Sequence, residues 1–159
     1  MQLYLIRHAQ AEDPNPTLVD ADRKLTLKGQ AQAKALKKSL ALLEVRFDLL
    51  ISSPWRRARQ TASALEGVTE HLEVSELLAQ SPSQALLRLL SEKSQNTDCL
   101  ALVGHQPWLG DLTSMLLLGN SEFGAVFEYK KSSIYALEYT PSQSYLRFVL
   151  PPSVVRNLS

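Results

Sequence analysis

The chain has 159 residues, 45% hydrophobic and 21% charged, and its 17 basic and 16 acidic side chains leave a formal net charge of +1. That balance excludes disordered, collagen-like and membrane-spanning classes, and it carries no cationic footprint for nucleic acid or an anionic membrane. A domain of this length hides roughly 70% of the surface its unfolded chain exposes, enough for a sizeable core.

From the N-terminus, "LYLI" at residues 3–6 is a continuous apolar run, as expected for a strand covered on both faces in a parallel sheet. It ends at Arg7 and His8, and ligands of open α/β sheets bind at the carboxyl ends of strands. The run is too short for a signal-peptide core and is followed at once by charge. No stretch approaches the ~18 apolar residues of a membrane span, so the expectation is a cytoplasmic protein. "EDPNPTLVDAD" at 12–22 is turn chemistry without periodicity and predicts a loop passing over the site. Thr26 then caps an amphipathic helix with Ala33, Leu36, Leu40 and Leu43 on its apolar face and Lys34, Lys37 and Lys38 on the others.

"FDLLIS" at 47–52 is a second buried strand. "SSPWRRARQTASALEG" opens with a serine cap and proline at the first helical position, and Ala58, Thr61, Ala62 and Leu65 form its apolar stripe. "LEVSELLAQ" contains a brief strand, and "SPSQALLRLLSEK" has the serine, proline and glutamine of a capped helix start. "DCLALVGHQPWLGDLTSMLLLG" repeats strand, sharp turn and helix. It holds the only cysteine, Cys99, which has no partner for an internal disulfide and whose apolar neighbours predict a buried thiol in a reducing compartment. Beyond Gly119, "SSIYALEY" and "SYLRFVL" alternate with period two around "TPSQ", a hairpin. With no repeat or linker, the expected architecture is one domain over residues 1–159, a three-layer α/β/α sandwich around a mainly parallel mixed sheet.

Three strand ends carry reactive or cationic side chains: Arg7 with His8, then Arg57, then His105. Neighbouring strands would bring them into one cleft. Arg56 and Arg57 fall in a first helical turn, where a cation meets the positive end of the helix dipole and loses ~0.3–1 kcal/mol. Arg56 is expected to extend into solvent and Arg57 to turn toward the strand end as an oxyanion ligand. Gly104 is expected to let the backbone turn sharply and leave His105 at the sheet edge. His71, among acidic neighbours and without such a turn, reads as a surface residue.

"LIRHAQAE", "SSPWRRARQTA" and "LVGHQP" resemble the three signatures of the histidine phosphatase superfamily, also called phosphoglycerate-mutase-like, in the family's order and over residues 5–107. The short chain and "DRKLTLKGQAQA" resemble in particular the SixA-type protein histidine phosphatases. The resemblance implies a phosphoglycerate-mutase-like fold. It also implies His8 as nucleophile, Arg7 and Arg57 as phosphate clamps, His105 as the fourth member of the pocket, and Arg23 as a further substrate contact or a brace for the loop.

The chemistry is self-consistent. Phosphoryl transfer needs an in-line nucleophile and positive charge around three equatorial oxygens. Neutral imidazole supplies the first; planar guanidinium forks supply the second and penalise imidazolium nearby. No cofactor or metal is expected, since three scattered histidines and one cysteine have no zinc or iron spacing. An ester substrate needs a general acid, for which Glu76 is the candidate, its alternative being a solvated glutamate; the imidazole of phosphohistidine leaves more readily. Only 28 residues separate Glu76 from His105, too few for a large cap insertion, so an open cleft is expected, with Trp55 and Trp108 at its rim or packed beneath its turns. The expected partner is a phosphohistidine-bearing protein, such as a phosphotransfer domain or a phosphotransferase component. A small phosphate ester is the alternative, and a non-catalytic phosphoprotein-binding module a third reading.

Overall fold

Leu100, Ala101, Leu102 and Val103 are fully buried because their strand lies inside the sheet with both faces covered. The computed structural model describes residues 1–158. Its elements are β1 (Gln2–Arg7), α1 (Leu27–Leu42), β2 (Phe47–Ser52), α2 (Arg56–Ser63), β3 (Thr69–Val74), α3 (Gln84–Lys93), β4 (Cys99–Gly104), α4 (Trp108–Leu118), β5 (Ile134–Tyr139), β6 (Ser144–Leu150) and α5 (Pro152–Leu158). The strands form one sheet in the order β3-β2-β4-β1-β5-β6. β3-β2, β2-β4 and β4-β1 pair in parallel, while β1-β5 and β5-β6 are antiparallel.

Alternation along the strands divides the core. Leu3, Leu5, Leu49, Ile51, Leu100 and Leu102 face Leu86 and Leu90 of α3 and Leu109 and Leu112 of α4. Tyr4, Ile6, Leu50, Ala101 and Val103 face Leu36 and Leu40 of α1, Ala58 and Ala62 of α2, and Val155 of α5. Each fully buried leucine is worth roughly 1.5–3 kcal/mol, so this single α/β domain rests on both layers. The sandwich matches the reading of the sequence. No helix among the described residues is long and apolar enough to cross a membrane.

Local differences have physical reasons. Thr26 does cap α1, its hydroxyl accepting from the Gly29 N–H at 3.1 Å, but Leu43 closes the helix as an exposed residue rather than extending the apolar stripe. A Cβ at Gly29 would come 1.9 Å from the Gln10 carbonyl oxygen, so the first turn of α1 lies directly on the segment leaving β1. α2 begins at Arg56, not Pro54, and Trp55 at its N-cap gives no side-chain cap bond. Among the candidate serines before α3, Ser83 is the cap, accepting from the Leu86 N–H. α5, absent from the sequence reading, starts at Pro152 and holds Val155 against α1, where Ser39 donates to the Val155 carbonyl at 2.8 Å. Cys99 is only partly buried, and burial, reinforced by Asp48 and Asp98, pushes its thiol up to about 12.

Candidate active site

Three adjacent strands stop at one level. Arg7 pairs with Gly104 and Ser52 with Val103. One residue on, the His8 N–H donates to the Gly104 carbonyl and the Ser53 N–H to the Val103 carbonyl, each at 3.0 Å. The parallel register therefore delivers His8, Ser53 and His105 to one edge, and the start of α2 adds Arg57.

His8 is held in one tautomer. Its Nδ1 lies 2.7 Å from the Ala9 carbonyl oxygen, which can only accept, so Nδ1 bears the proton and Nε2 keeps a lone pair. Arg57 Nε–H donates to that lone pair at 3.1 Å. Burial chiefly, reinforced by the charges of Arg57, Arg7 and Lys131 and opposed by the Ala9 carbonyl, pushes His8 down to about 3. It is an uncharged base at neutral pH.

His105 lies beside it, the ring centroids 5.1 Å apart. Its Nε2 is 2.7 Å from Ser53 Oγ, whereas Nδ1 has no hydrogen-bond partner in the protein. Burial, then His8 and Arg57, push it down to about 2. The serine expected to cap α2 serves two partners, since Ser53 Oγ also accepts from the Trp55 N–H at 3.4 Å just before the helix starts at Arg56.

Arg57 is 3% exposed. Besides its bond to His8 it donates from Nη1 to the Asp20 carbonyl oxygen at 2.6 Å and from Nη2 to the Asp20 carboxylate at 3.0 Å. Arg7 donates from Nη1 to the Tyr129 carbonyl, while its Nε has no protein partner; burial first, then the charge of Arg57, lower its pKa. Two supports fix the edge. Thr61 accepts from the Ala9 N–H at 3.0 Å and donates to the Arg57 carbonyl at 2.8 Å, tying the loop after β1 to α2. The Ser132 N–H donates to the Arg7 carbonyl at 3.1 Å from a left-handed backbone, φ 67°, a strained conformation for a non-glycine residue.

Of the residues singled out in the sequence, Arg7, His8, Arg57 and His105 come together. Arg23 does not join them directly: it donates to Asp20 at 2.7 Å and to the Glu12 carbonyl at 2.7 Å, bracing the loop. Glu76 opens a 3₁₀ turn after β3; it is exposed and makes no hydrogen bond or ion pair with the four pocket residues. Arg56 is exposed and lines, with Lys34 and Arg59, a groove of about 630 Å³ between α1 and α2. His71 is exposed on β3.

The two tryptophans part company. Trp55 meets His105 at a tilt, the ring centroids 4.6 Å apart and the planes at 50°, and the Arg57 guanidinium lies over its ring at 4.5 Å, at the pocket. Trp108 is buried under it, and a Cβ at Gly104 would come 1.9 Å from Trp108 Cζ2. Gly104 is therefore required for the close approach of that ring, and the chain turns directly after it, without a left-handed backbone at Gly104 itself, leaving His105 at the sheet edge. Nor is the site an open trough. His8, Arg57 and His105 keep 5, 3 and 4% of their surface, recessed where the loop over residues 12–22 brings Asp20 against Arg57. Sequence reasoning missed Asp20 and Ser53 as site residues; the only signal for Asp20 was an acid three positions before Arg23.

A parallel-sheet edge with a neutral histidine between guanidinium groups defines an oxyanion-handling α/β domain. The chain belongs to the histidine phosphatase superfamily (branch 1), whose sequence profile matches residues 3–80. It is 36% identical over 141 residues to an uncharacterized protein of Picosynechococcus sp., covering 86% of this chain and 84% of that one. Among solved structures, a protein provisionally assigned as the phosphohistidine phosphatase SixA of Agrobacterium tumefaciens superposes with a TM-score of 0.79 at 26% identity, over 95% of this chain and 97% of that one. The alpha-ribazole phosphatase of Shigella flexneri has the same fold, with a TM-score of 0.78 at 21% identity over 96% and 97% of the two chains.

Proposed function

We propose that this phosphatase acts through a phosphohistidine on His8 and removes phosphate from phosphohistidine on a partner protein, without a metal. His8 Nε2 attacks phosphorus as the bond to the leaving group breaks, and water then cleaves the Nε2–P bond to release phosphate. Arg57 Nε–H, which donates a hydrogen bond to His8 Nε2, shifts that hydrogen bond to a phosphoryl oxygen, keeping its proton, as the Nε2 lone pair turns to phosphorus. Arg7 Nε and His105 Nδ1, both buried without protein partners, are further groups for that oxyanion. Charge on the equatorial oxygens is thereby met by groups already in place.

The observation that carries the choice of substrate is the state of the carboxylates. Among the described residues the only carboxylate bonded to a pocket residue is Asp20, and burial, which disfavours its charge, is outweighed by hydrogen bonds from Arg57 and Arg23 that hold its pKa low. An ionised carboxylate has no proton for an alkoxide, and Glu76 is exposed and makes no hydrogen bond or ion pair with the four pocket residues. A phosphoramidate, whose imidazole departs more readily, suits such a pocket, and the likeness to a SixA assignment points the same way.

The test is a comparison of a phosphotransfer domain phosphorylated on histidine with a chromogenic phosphate ester, with EDTA present. Preference for the protein and an acid-labile phosphate trapped on wild type but not on His8→Ala is the expected result. Preference for the ester, lost in Glu76→Gln, moves the assignment to a small-molecule phosphomonoesterase. Binding without any trapped phosphate leaves only a recognition module.

A further inference from the structure

Arg57 carries five N–H bonds, and three are committed: Nε–H to His8, one Nη1–H to the Asp20 carbonyl and one Nη2–H to the Asp20 carboxylate. Asp20 thus meets the guanidinium end-on, across its two Nη atoms. His8 meets the other edge, formed by Nε–H and the second hydrogen of Nη2. An oxyanion arriving at His8 Nε2 meets that second edge, which Asp20 does not occupy.

Asp20 is itself held. Its other carboxylate oxygen accepts from Arg23 Nε at 2.7 Å, and Arg23 Nη1 is anchored on the Glu12 carbonyl at 2.7 Å. A continuous series of hydrogen bonds runs from the loop backbone through Arg23, Asp20 and Arg57 to the reactive nitrogen of His8. Arg23 also offsets the Asp20 charge, so the carboxylate can orient Arg57 without cancelling the positive charge that Arg57 brings to the recess. This accounts for an arginine close to the pocket that does not touch it.

We propose that Asp20 is a positioning residue: backed by Arg23, it grips the far end of the Arg57 guanidinium and keeps its Nε edge facing His8 and the phosphoryl group. The proposal rests on Arg57 being a phosphoryl ligand. An unheld guanidinium retains its charge and loses its aim, and displacement of about 1 Å in such a group costs on the order of 100-fold in rate.

The test uses the full chain as wild type, Asp20→Ala, Asp20→Asn, Arg57→Ala and the double variant Asp20→Ala/Arg57→Ala. Turnover of a histidine-phosphorylated phosphotransfer domain and binding of tungstate, a phosphate analogue, are measured. Asp20→Ala is expected to lower kcat by about 100-fold and to weaken tungstate binding. Asp20→Asn, isosteric and still able to accept one bond, is expected to fall between it and wild type. In the Arg57→Ala background, Asp20→Ala is expected to cost less than about threefold, because nothing is left to orient. Tighter tungstate binding in Asp20→Ala would make Asp20 a competing anion, and an undiminished loss in the double variant would make it a structural residue; either result overturns the proposal. Wild-type turnover and tungstate binding in Arg57→Ala would instead overturn the reading of Arg57 beneath it.

Discussion

The centre of the sheet and its two edges invert the usual placement of residues, in opposite senses. At the carboxyl ends of β1, β2 and β4, polar side chains are buried: His8, Ser53, Arg57, Thr61 and His105 keep at most 5% of their surface. On the edge strands apolar side chains are exposed, Leu72 and Val74 on β3 and Tyr145, Leu146 and Phe148 on β6. At the edges the exception is cheap, because a lone apolar group in water loses little and nearby ion pairs, Lys93 with Glu73 and Arg147 with Glu138, keep the strands charged. At the centre it is costly, since each buried polar group needs a partner or forfeits its hydration. Burying polar groups where three strand ends meet, with Arg7 Nε and His105 Nδ1 left without protein partners, is what a ligand site looks like and a folding core does not.

The contrast can be broken at several levels. The largest effect is expected at the centre of the chemistry: His8→Ala should lower turnover by at least about 10⁴-fold in steady-state assays while thermal unfolding stays cooperative, as when an enzyme loses its nucleophile. Next comes the apolar floor of the same region. Leu102→Ala on β4 should cost about 2–5 kcal/mol in denaturant unfolding, since the site rests on a strand with no free face.

Acid should discriminate between the regions as well. His8 and His105 titrate at about 3 and 2 in the fold, well below the ordinary 6.5, so below pH 6.5 the unfolded chain takes up protons that the native state refuses. Stability from this pair is full above that pH and is lost as pH falls toward 3, by about 2.7 kcal/mol per pH unit near pH 4.5. His105→Gln should reduce the slope by about 1.4 kcal/mol per unit in urea titrations across pH 6 to 4; an unchanged slope would mean that His105 is not held neutral. The smallest effect belongs to the edge: Leu146→Thr on β6 should change stability by less than about 0.5 kcal/mol and leave turnover untouched.

Much of this was legible beforehand. The runs at 3–6, 49–51 and 100–103 are apolar without interruption, as interior strands need, and a glycine or a serine-serine-proline follows two of them where the chain must turn. Arg7, His8, Arg57 and His105 stand out because each directly follows such a run or opens the helix after it. Ser53, expected to cap α2, takes a second role that the sequence did not show: its Oγ accepts from the Trp55 N–H and also meets His105 Nε2, 52 positions away along the chain. Gly104 has a second reason that the sequence did not show: besides preceding the turn, it leaves room for the ring of Trp108, four residues on.

Local order alone therefore determined the strands, most of the helices and the identity of the four pocket side chains, because periodicity and turn chemistry act over a few residues. Only the tertiary structure decided that Asp20, 37 positions before Arg57, would close on its guanidinium, that Arg23 would stand behind it, and that Glu76 would be exposed without a hydrogen bond to the four pocket residues. Such contacts join side chains through space across a loop of no regular form, and spacing along a chain carries no measure of that distance.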